Sequence, residues 1–405
     1  MKRGIAKVLA LLAVLAMVAA ACASDEGGTD AGADETAAPT TAAPDTPSQT
    51  TVAPSDAAAE TTATTEPAED TGGEMTPINL QLQWFAQSQF AGYYAAVDLG
   101  FYADEGLDVT ILQGAVDIVP QTVVATGGAE FGIAWVPKAL VSNEEGAGLV
   151  NVGQVFQRSG TLMVSWADSG ITSPEDWEGK VVGNWGFGNE FELTAAIEQA
   201  GVTVGELVAQ NFDMEALLNR EIDAAEAMIY NEYAQVLEVV NSETGELYQP
   251  EDLNVIDFNE VGTAMLQDAI WVTEEYAAAN PDIVESFLKA SFKGWIYCRD
   301  NVEACVDIVL QAGPILPLTH QLWQMNEING LIWPSPGGIG VMDQGLWDQT
   351  IEVATSQGVI QADPGTGAFD TSFAEKAVSA LEEEGLDTTG EGWQRITVEL
   401  TEGGE

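Results

Sequence analysis

Three short stretches gather most of the side chains able to do chemistry. LQWFAQSQFAGYYAAVDLGFYADEG, from Leu82 to Gly106, holds Trp84, Phe85, Gln87, Ser88, Gln89, Phe90, Tyr93 and Tyr94. NWGFGNEFE holds Phe187, Gly188, Asn189 and Glu190, and LIWPSPGGIG surrounds Trp333. Rings beside amides suit the stacking and hydrogen bonding of a flat polar solute. Bond-making chemistry has little material. The chain has one histidine, His320, and three cysteines, Cys22, Cys298 and Cys305, with no Cys-x-x-Cys or Cys/His spacing. A zinc site, a catalytic triad and a bound cofactor are therefore not expected.

The elements that must hold these residues begin after a long leader. Lys2, Arg3 and Lys7 precede an apolar run from Val8 to Ala21. That run falls short of the roughly 20 residues of a spanning helix and reads as a secretory signal over residues 1–21. Ala19-Ala20-Ala21-Cys22 resembles a bacterial lipobox, which would make Cys22 an acylated N-terminus; plain signal cleavage beside an incidental cysteine is the alternative. Residues 22–76 are Ala, Thr, Pro, Asp and Glu almost throughout. They read as a disordered acidic tether with a typical span of about 40 Å.

The remaining chain suits two lobes. Its charge of −52, from 12 basic and 64 acidic residues, makes nucleic acid an unsuitable partner and reads first as a solvated acidic surface. Short apolar runs alternating with helical patterns predict α/β layers. Strands are expected at INLQLQW, LDVTILQG, AEFGIAW, GLVNVGQVFQ, GKVVGNW, AAEAMIY and from about Met265. Helices are expected from Ser88 towards Gly106, in DIVPQTVVATGG and near Pro137–Asn143. More are expected at DMEALLNREID and NEYAQVLEVV, followed by a helical series from Pro281 onward. Asn189 and Glu192 have the spacing of a helix-capping box. This gives an α/β fold with lobe 1 over 77–158 and 268–385, an inserted lobe 2 over 159–267 and an acidic C-terminal tail over 386–405. Crossovers are expected near Phe156–Val164 and Met265–Val272. The RDN break between two helical runs could bring Cys298 and Cys305 together as a disulfide, with two separate buried thiols as the alternative.

In such a fold, strand ends and helix starts face the cleft. This selects Trp84 and Phe85, the amides and free N–H groups at Gln87, Ser88 and Gln89, Trp135, and Tyr230 with Asn231. Phe90 and Tyr94, four apart, are expected in the core, Tyr93 is open between core and cleft, and Trp333 either walls the pocket or pins its lobe.

LQWFAQSQFAGYYAAVDLGFYADEGLDVTI, EFGIAWVP, GNWGFGNEFE, IYNEYAQV and LIWPSPGGIGVMD resemble the solute-binding lipoproteins of ABC importers. The resemblance is to the thiamine-pyrimidine-precursor and riboflavin binders, kin to sulfonate, taurine and nitrate binders, over roughly Pro77 to Ala380. It implies a two-lobe periplasmic-binding-protein-like fold of type II with a helical C-terminal part. It further implies hinge closure on a heteroaromatic ligand, delivery to a membrane permease, a lipid-anchored monomer outside the cytoplasmic membrane, and no chemistry. Trp84 would stack on the ligand and Glu190 would bond a ring amino group. The ligand-binding set so expected is Trp84, Phe85, Gln89, Tyr93, Trp135, Phe187, Gly188, Asn189, Glu190, Tyr230 and Asn231. The GFGN loop departs from the pyrimidine-binder pattern. An anionic ligand held by helix N-termini, a pyrimidine-synthesising enzyme and a non-transport surface lipoprotein are the alternatives. The enzyme is disfavoured by the missing cysteine-rich motif and by the distance of His320 from the cleft motifs.

Overall fold

The structure, a computed structural model, describes residues 75–405 apart from Pro314. The signal segment, Cys22 and nearly all of the tether lie outside the described residues. Ten strands follow in chain order: β1 (Thr76–Gln81), β2 (Leu107–Leu112), β3 (Phe131–Trp135), β4 (Leu149–Gln154), β5 (Thr161–Trp166), β6 (Val181–Asn184), β7 (Glu206–Ala209), β8 (Ala225–Met228), β9 (Leu253–Asp257) and β10 (Asp268–Thr273). The first sheet has the order β2-β1-β3-β10-β4. Strands β1, β2 and β3 are mutually parallel, and β10 runs antiparallel to β3 and β4. A second sheet has the order β8-β5-β9, beside the parallel pair β6-β7.

The parallel strands of the first sheet end on one edge, where Trp84, the turn after β2, and Trp135 emerge. Apolar residues in β3 and β4 are buried on both faces, as expected where helices cover both sides. Strands β5, β7 and β9 were not read from the sequence. The expected helix from Ser88 is broken into Ser88–Phe90, Ala91–Asp98 and Phe101–Asp104, with Gly100 in the left-handed region at φ 75° between the last two. The expected helix over DMEALLNREID shrinks to Glu215–Leu218.

Two chain segments join the sheets, one after β4 and one before β10, and they are bonded to each other. The Gln267 side chain donates to Ser159 Oγ (3.0 Å) and Thr161 Oγ1 (2.7 Å) and accepts from the Gly160 N–H (2.8 Å). The Gln154 side chain donates to the Phe156 carbonyl at 2.9 Å. Glu192, in the first turn of the helix Phe191–Ala200, fastens both segments, accepting from Ser159 Oγ at 2.8 Å and from the Met265 N–H at 2.7 Å. The expected capping box is therefore absent. The helix begins two residues after Asn189, and Glu192 is turned inward to the crossovers.

Behind the first sheet, the helix Ala91–Asp98 lies against Pro281–Asp300 at very short range. A Cβ at Gly92 would overlap the Trp295 ring, and one at Gly294 would overlap the Gly92 carbonyl. This close approach puts Tyr93 in the core, edge-on to Trp295 with centroids 5.5 Å apart. Trp333 is also buried, under the Arg299 guanidinium at 4.7 Å, and pins the helical part.

Cys298 and Cys305 are joined by a disulfide between successive helices. Opening so short a loop is expected to cost about 2 kcal/mol. Cys298→Ser should therefore lower the urea midpoint.

Residues 386–405 are fixed along the buried helix Leu318–Ile332. Arg395 pairs with Glu327 at 3.0 Å, the Ile396 N–H donates to Asn326 Oδ1 at 2.9 Å, and the Gly403 N–H reaches the Glu238 carbonyl at 3.0 Å.

Candidate functional site

Between the two sheets lies a cavity of about 510 Å³, within the range of about 300–1,000 Å³ usual for small-molecule sites. From the first sheet come Gln83, Trp84, Gln87 and Gln89 after β1, Val116 and Val119 after β2, and Trp135 with Lys138 at the end of β3. From the other side come Trp185 and the Phe187–Asn189 turn after β6, Phe212 after β7, Met228 at the end of β8, and Tyr230, Asn231 and Glu232 beyond it. Rings meet across the opening. Trp84 lies 5.1 Å from Phe212, which stacks at 6.0 Å on Trp185. Lys138 Nζ also crosses it, donating to Asn189 Oδ1 at 2.7 Å while sitting 4.6 Å from the Trp135 ring centroid.

The floor is organised by Asp268, the first residue of β10. Its Oδ1 accepts from Gln83 Nε2 (2.5 Å) and Trp135 Nε1 (2.9 Å), and its Oδ2 accepts from Gln89 Nε2 (2.9 Å). Gln87 Nε2 in turn donates to Gln89 Oε1 at 2.6 Å. Burial raises the Asp268 carboxyl to about 7, and the three donors limit the rise. On the other side, Glu232 is buried. Its Oε2 accepts from the Met228 N–H, and its Oε1 accepts from Asn231 Nδ2, whose own Oδ1 meets His320 Nε2 at 2.9 Å. His320 is thus joined to a cleft residue, although it lies far down the chain from the cleft motifs.

The structure brings Trp84, Gln89, Trp135, Phe187, Gly188, Asn189, Tyr230 and Asn231 round one cavity. It places three expected residues elsewhere. Phe85 turns outward, 49% exposed, because Trp84 takes the inward position. Tyr93 is in the core for the packing reason given above. Glu190 bends back so that its Oε2 accepts from the Gly188 N–H at 2.9 Å, which keeps it off the cleft wall. The N–H groups expected to be free at the first helix are taken as well. Gln321 Oε1 accepts from Ser88 N at 2.7 Å, and Gln324 Oε1 accepts from Gln89 N at 3.2 Å. Phe187 holds φ at 57° and is 78% exposed at the cleft mouth, an uncommon backbone for a non-glycine residue of the kind found at ligand clamps. Lys138, Trp185, Phe212, Glu232 and Asp268 lie outside the expected ligand-binding set. Lys138, three residues beyond Trp135, and Trp185 and Glu232, each inside a motif already singled out, carried a signal in sequence; Phe212 and Asp268 carried none.

The family of this fold and cleft follows from comparison. Residues 87–304 match the family model described as NMT1/THI5 like, more than half of the chain. The chain belongs to the NMT1/THI5-like family. Its relatives include the riboflavin-binding protein RibY of Chloroflexus aurantiacus, 24% identical over 318 residues, 74% of this chain and 86% of that protein. The formylaminopyrimidine-binding protein of Halalkalibacterium halodurans is 23% identical over 283 residues, 68% of this chain and 83% of that protein. Among solved structures, the alkanesulfonate-binding protein SsuA from Xanthomonas axonopodis, bound to MOPS, superposes with a TM-score of 0.54 at 13% identity, covering 74% of this chain and all of that one. The fold of this NMT1/THI5-like chain is therefore periplasmic-binding-protein-like.

One expectation is corrected by the same comparison. The 4-amino-5-hydroxymethyl-2-methylpyrimidine phosphate synthase of Legionella pneumophila is 23% identical over 250 residues, 61% of this chain and 77% of that protein. This NMT1/THI5-like sequence thus has enzymes among its relatives, and the expectation of a protein without chemistry does not stand.

Proposed function

We propose that this protein binds a flat heteroaromatic solute in the cleft between its two sheets. The crossovers held by Gln267 and Glu192 are the hinge. Ligand bound to both sides shifts the population to the closed form. The closed form, tethered through acylated Cys22 outside the cytoplasmic membrane and acting as a monomer, delivers the solute to an ABC permease. The observation that carries the reading is the meeting of rings from both sides, Trp84 and Trp135 facing Trp185 and Phe212. The names of two relatives, a riboflavin binder and a formylaminopyrimidine binder, support it. A small oxyanion finds less here, because the N–H groups of Ser88 and Gln89 are already bonded.

The test is thermal unfolding of protein refolded free of carried-over ligand, against riboflavin, an aminopyrimidine, taurine, methanesulfonate and nitrate. Each bound solute is recovered and weighed by mass spectrometry, so that conversion would be seen. A ligand at 100 times its dissociation constant adds about 2.7 kcal/mol. Stacking contributes about 1–3 kcal/mol per ring face, so Trp84→Ala should weaken a heteroaromatic ligand by about tenfold, read as the ligand-induced rise over the variant's own ligand-free midpoint. A rise with the anions alone would overturn the proposal.

A further inference from the structure

His320, the one histidine of the chain, is buried behind the cleft wall. Both of its ring nitrogens face acceptors. Nδ1 lies 2.8 Å from Glu238 Oε1, and Nε2 lies 2.9 Å from Asn231 Oδ1. Turning the Asn231 amide over does not relieve this. Its Nδ2 donates to Glu232 Oε1 at 2.8 Å, and the turned amide would set Oδ1 against that carboxylate oxygen instead. A neutral imidazole has one N–H and satisfies one acceptor. The chain Glu238–His320–Asn231–Glu232 is therefore complete only when it holds one proton more than a neutral ring between two carboxylates. Glu238, His320 and Glu232 are all buried. The C-terminal segment closes the outer end of the chain. The Gly403 N–H donates to the Glu238 carbonyl at 3.0 Å, and a Cβ at Gly404 would lie 2.8 Å from His320 Cβ. The inner end, Asn231 and Glu232, lines the cleft.

We propose that His320 is a positioning residue for solute binding. With both ring nitrogens protonated it holds the Asn231 amide in one orientation at the cleft wall. One amide N–H and one carbonyl lone pair of Asn231 are then left for the solute. When the extra proton leaves, the remaining ring N–H goes to Glu238, because a bond to a carboxylate is the stronger one. Nε2 then faces Asn231 Oδ1 lone pair to lone pair, and the amide loses its fixed orientation. Solute affinity therefore falls as pH rises. The other charged groups on the elements packed against the His320 helix do not enter the chain. Glu303 and Asp307 on the helix Val302–Ala312 are exposed, as are Glu402 and Glu405 of the C-terminal segment. Glu327, on the His320 helix itself, is paired with Arg395. Ser88 and Gln89, against the same helix, are uncharged. Burial raises the Glu232 carboxyl, and its hydrogen bonds and the charge on His320 oppose the rise. The inference rests on the heteroaromatic reading above for its solute, and its proton is read without one.

The test uses the full chain without added histidines, titrated with riboflavin and with 4-amino-2-methylpyrimidine between about pH 5 and 8, where histidine charge ordinarily changes. The natural protein should weaken by about three- to tenfold across that range, the worth of one hydrogen bond. The amide that Glu238→Gln introduces donates to Nδ1 of a neutral ring and frees Nε2–H for Asn231. That variant should keep at every pH the affinity the natural protein has only at the acid end. His320→Leu should be weak throughout, and should cost nothing further once Asn231→Ala is in place. Asp268 and Lys138 titrate in the same range, but they do so in all these proteins, so the reading is the difference between profiles. Parallel profiles for the natural protein and a folded Glu238→Gln overturn the inference and leave the heteroaromatic reading intact. A full His320→Leu loss in the Asn231→Ala background overturns it as well. Binding of neither probe overturns the heteroaromatic reading, and the inference is then decided by the ring ¹⁵N signals of the single histidine. These should show two N–H groups at pH 5 and Nδ1–H alone at pH 8, with Nε2–H alone at both in Glu238→Gln. One N–H throughout in the natural protein overturns it.

Discussion

Asp268→Leu is expected to cost the protein about 3 kcal/mol of stability and to weaken its ligand by about tenfold or more. The leucine removes the acceptor of three buried donors, Gln83 Nε2, Gln89 Nε2 and Trp135 Nε1. Each donor left unbonded costs about 1–3 kcal/mol, offset in part because a buried carboxyl is also removed. The loss in affinity has a separate origin. Gln83, Gln89 and Trp135 line the cleft, and Asp268 fixes their rotamers before the ligand arrives. Without it, binding must order them at about 0.5–1.5 kcal/mol per side chain. Asp268→Asn should be intermediate, because an amide offers one acceptor and sets its own N–H against one of the three donors. Urea unfolding gives the first quantity and titration with the bound solute the second. A leucine variant with an unchanged midpoint would show that the donors find other partners and that the floor is not organised by Asp268.

This residue also marks where the sequence stops being informative. Trp84 and Trp135 could be read because one closely follows a strand and the other ends one, and strand ends of a parallel sheet face the cleft. Asp268 sits in MLQDAIWVT, a run that reads as an apolar strand with one acid in it, and its partners lie more than a hundred residues earlier. Glu226 is hidden in the same way within AAEAMIY. Tyr93 was open because helical spacing alone does not say that Gly92 lets a second helix come close enough to bury it. Glu190 misled because resemblance gave it a role, while its turn gave it the Gly188 N–H as a nearer partner. Local pattern thus reported which residues stand at the ends of elements. It was silent on which buried carboxylates those residues would share, since that depends on the joining of two distant segments.

Stability should fall as pH rises from about 4.5 to about 8, the reverse of ordinary acid denaturation. Burial raises Asp268 from 3.8 to about 7, and Glu192 and Glu226 from 4.5 to about 8. Glu232 and Glu327 are raised for the same reason. Across this window the native state holds more protons than the unfolded chain, so the slope of unfolding free energy with pH is negative. Below the ordinary carboxyl range both states are protonated and the contribution is complete; above about 8 both are ionised and it is gone. Lys138, lowered from 10.5 to about 8, acts in the opposite sense above pH 8, where the unfolded chain binds the extra proton. A minimum near pH 8 follows. The net charge of −52 also favours unfolding as carboxylates ionise, but that repulsion is screened by salt and the buried acids are not. Urea midpoints in high salt at pH 5, 6.5 and 8 should therefore still decline, and Glu192→Gln with Glu226→Gln should flatten the decline. A profile flat or rising over this range would mean that these carboxyls ionise in the native protein at ordinary pH.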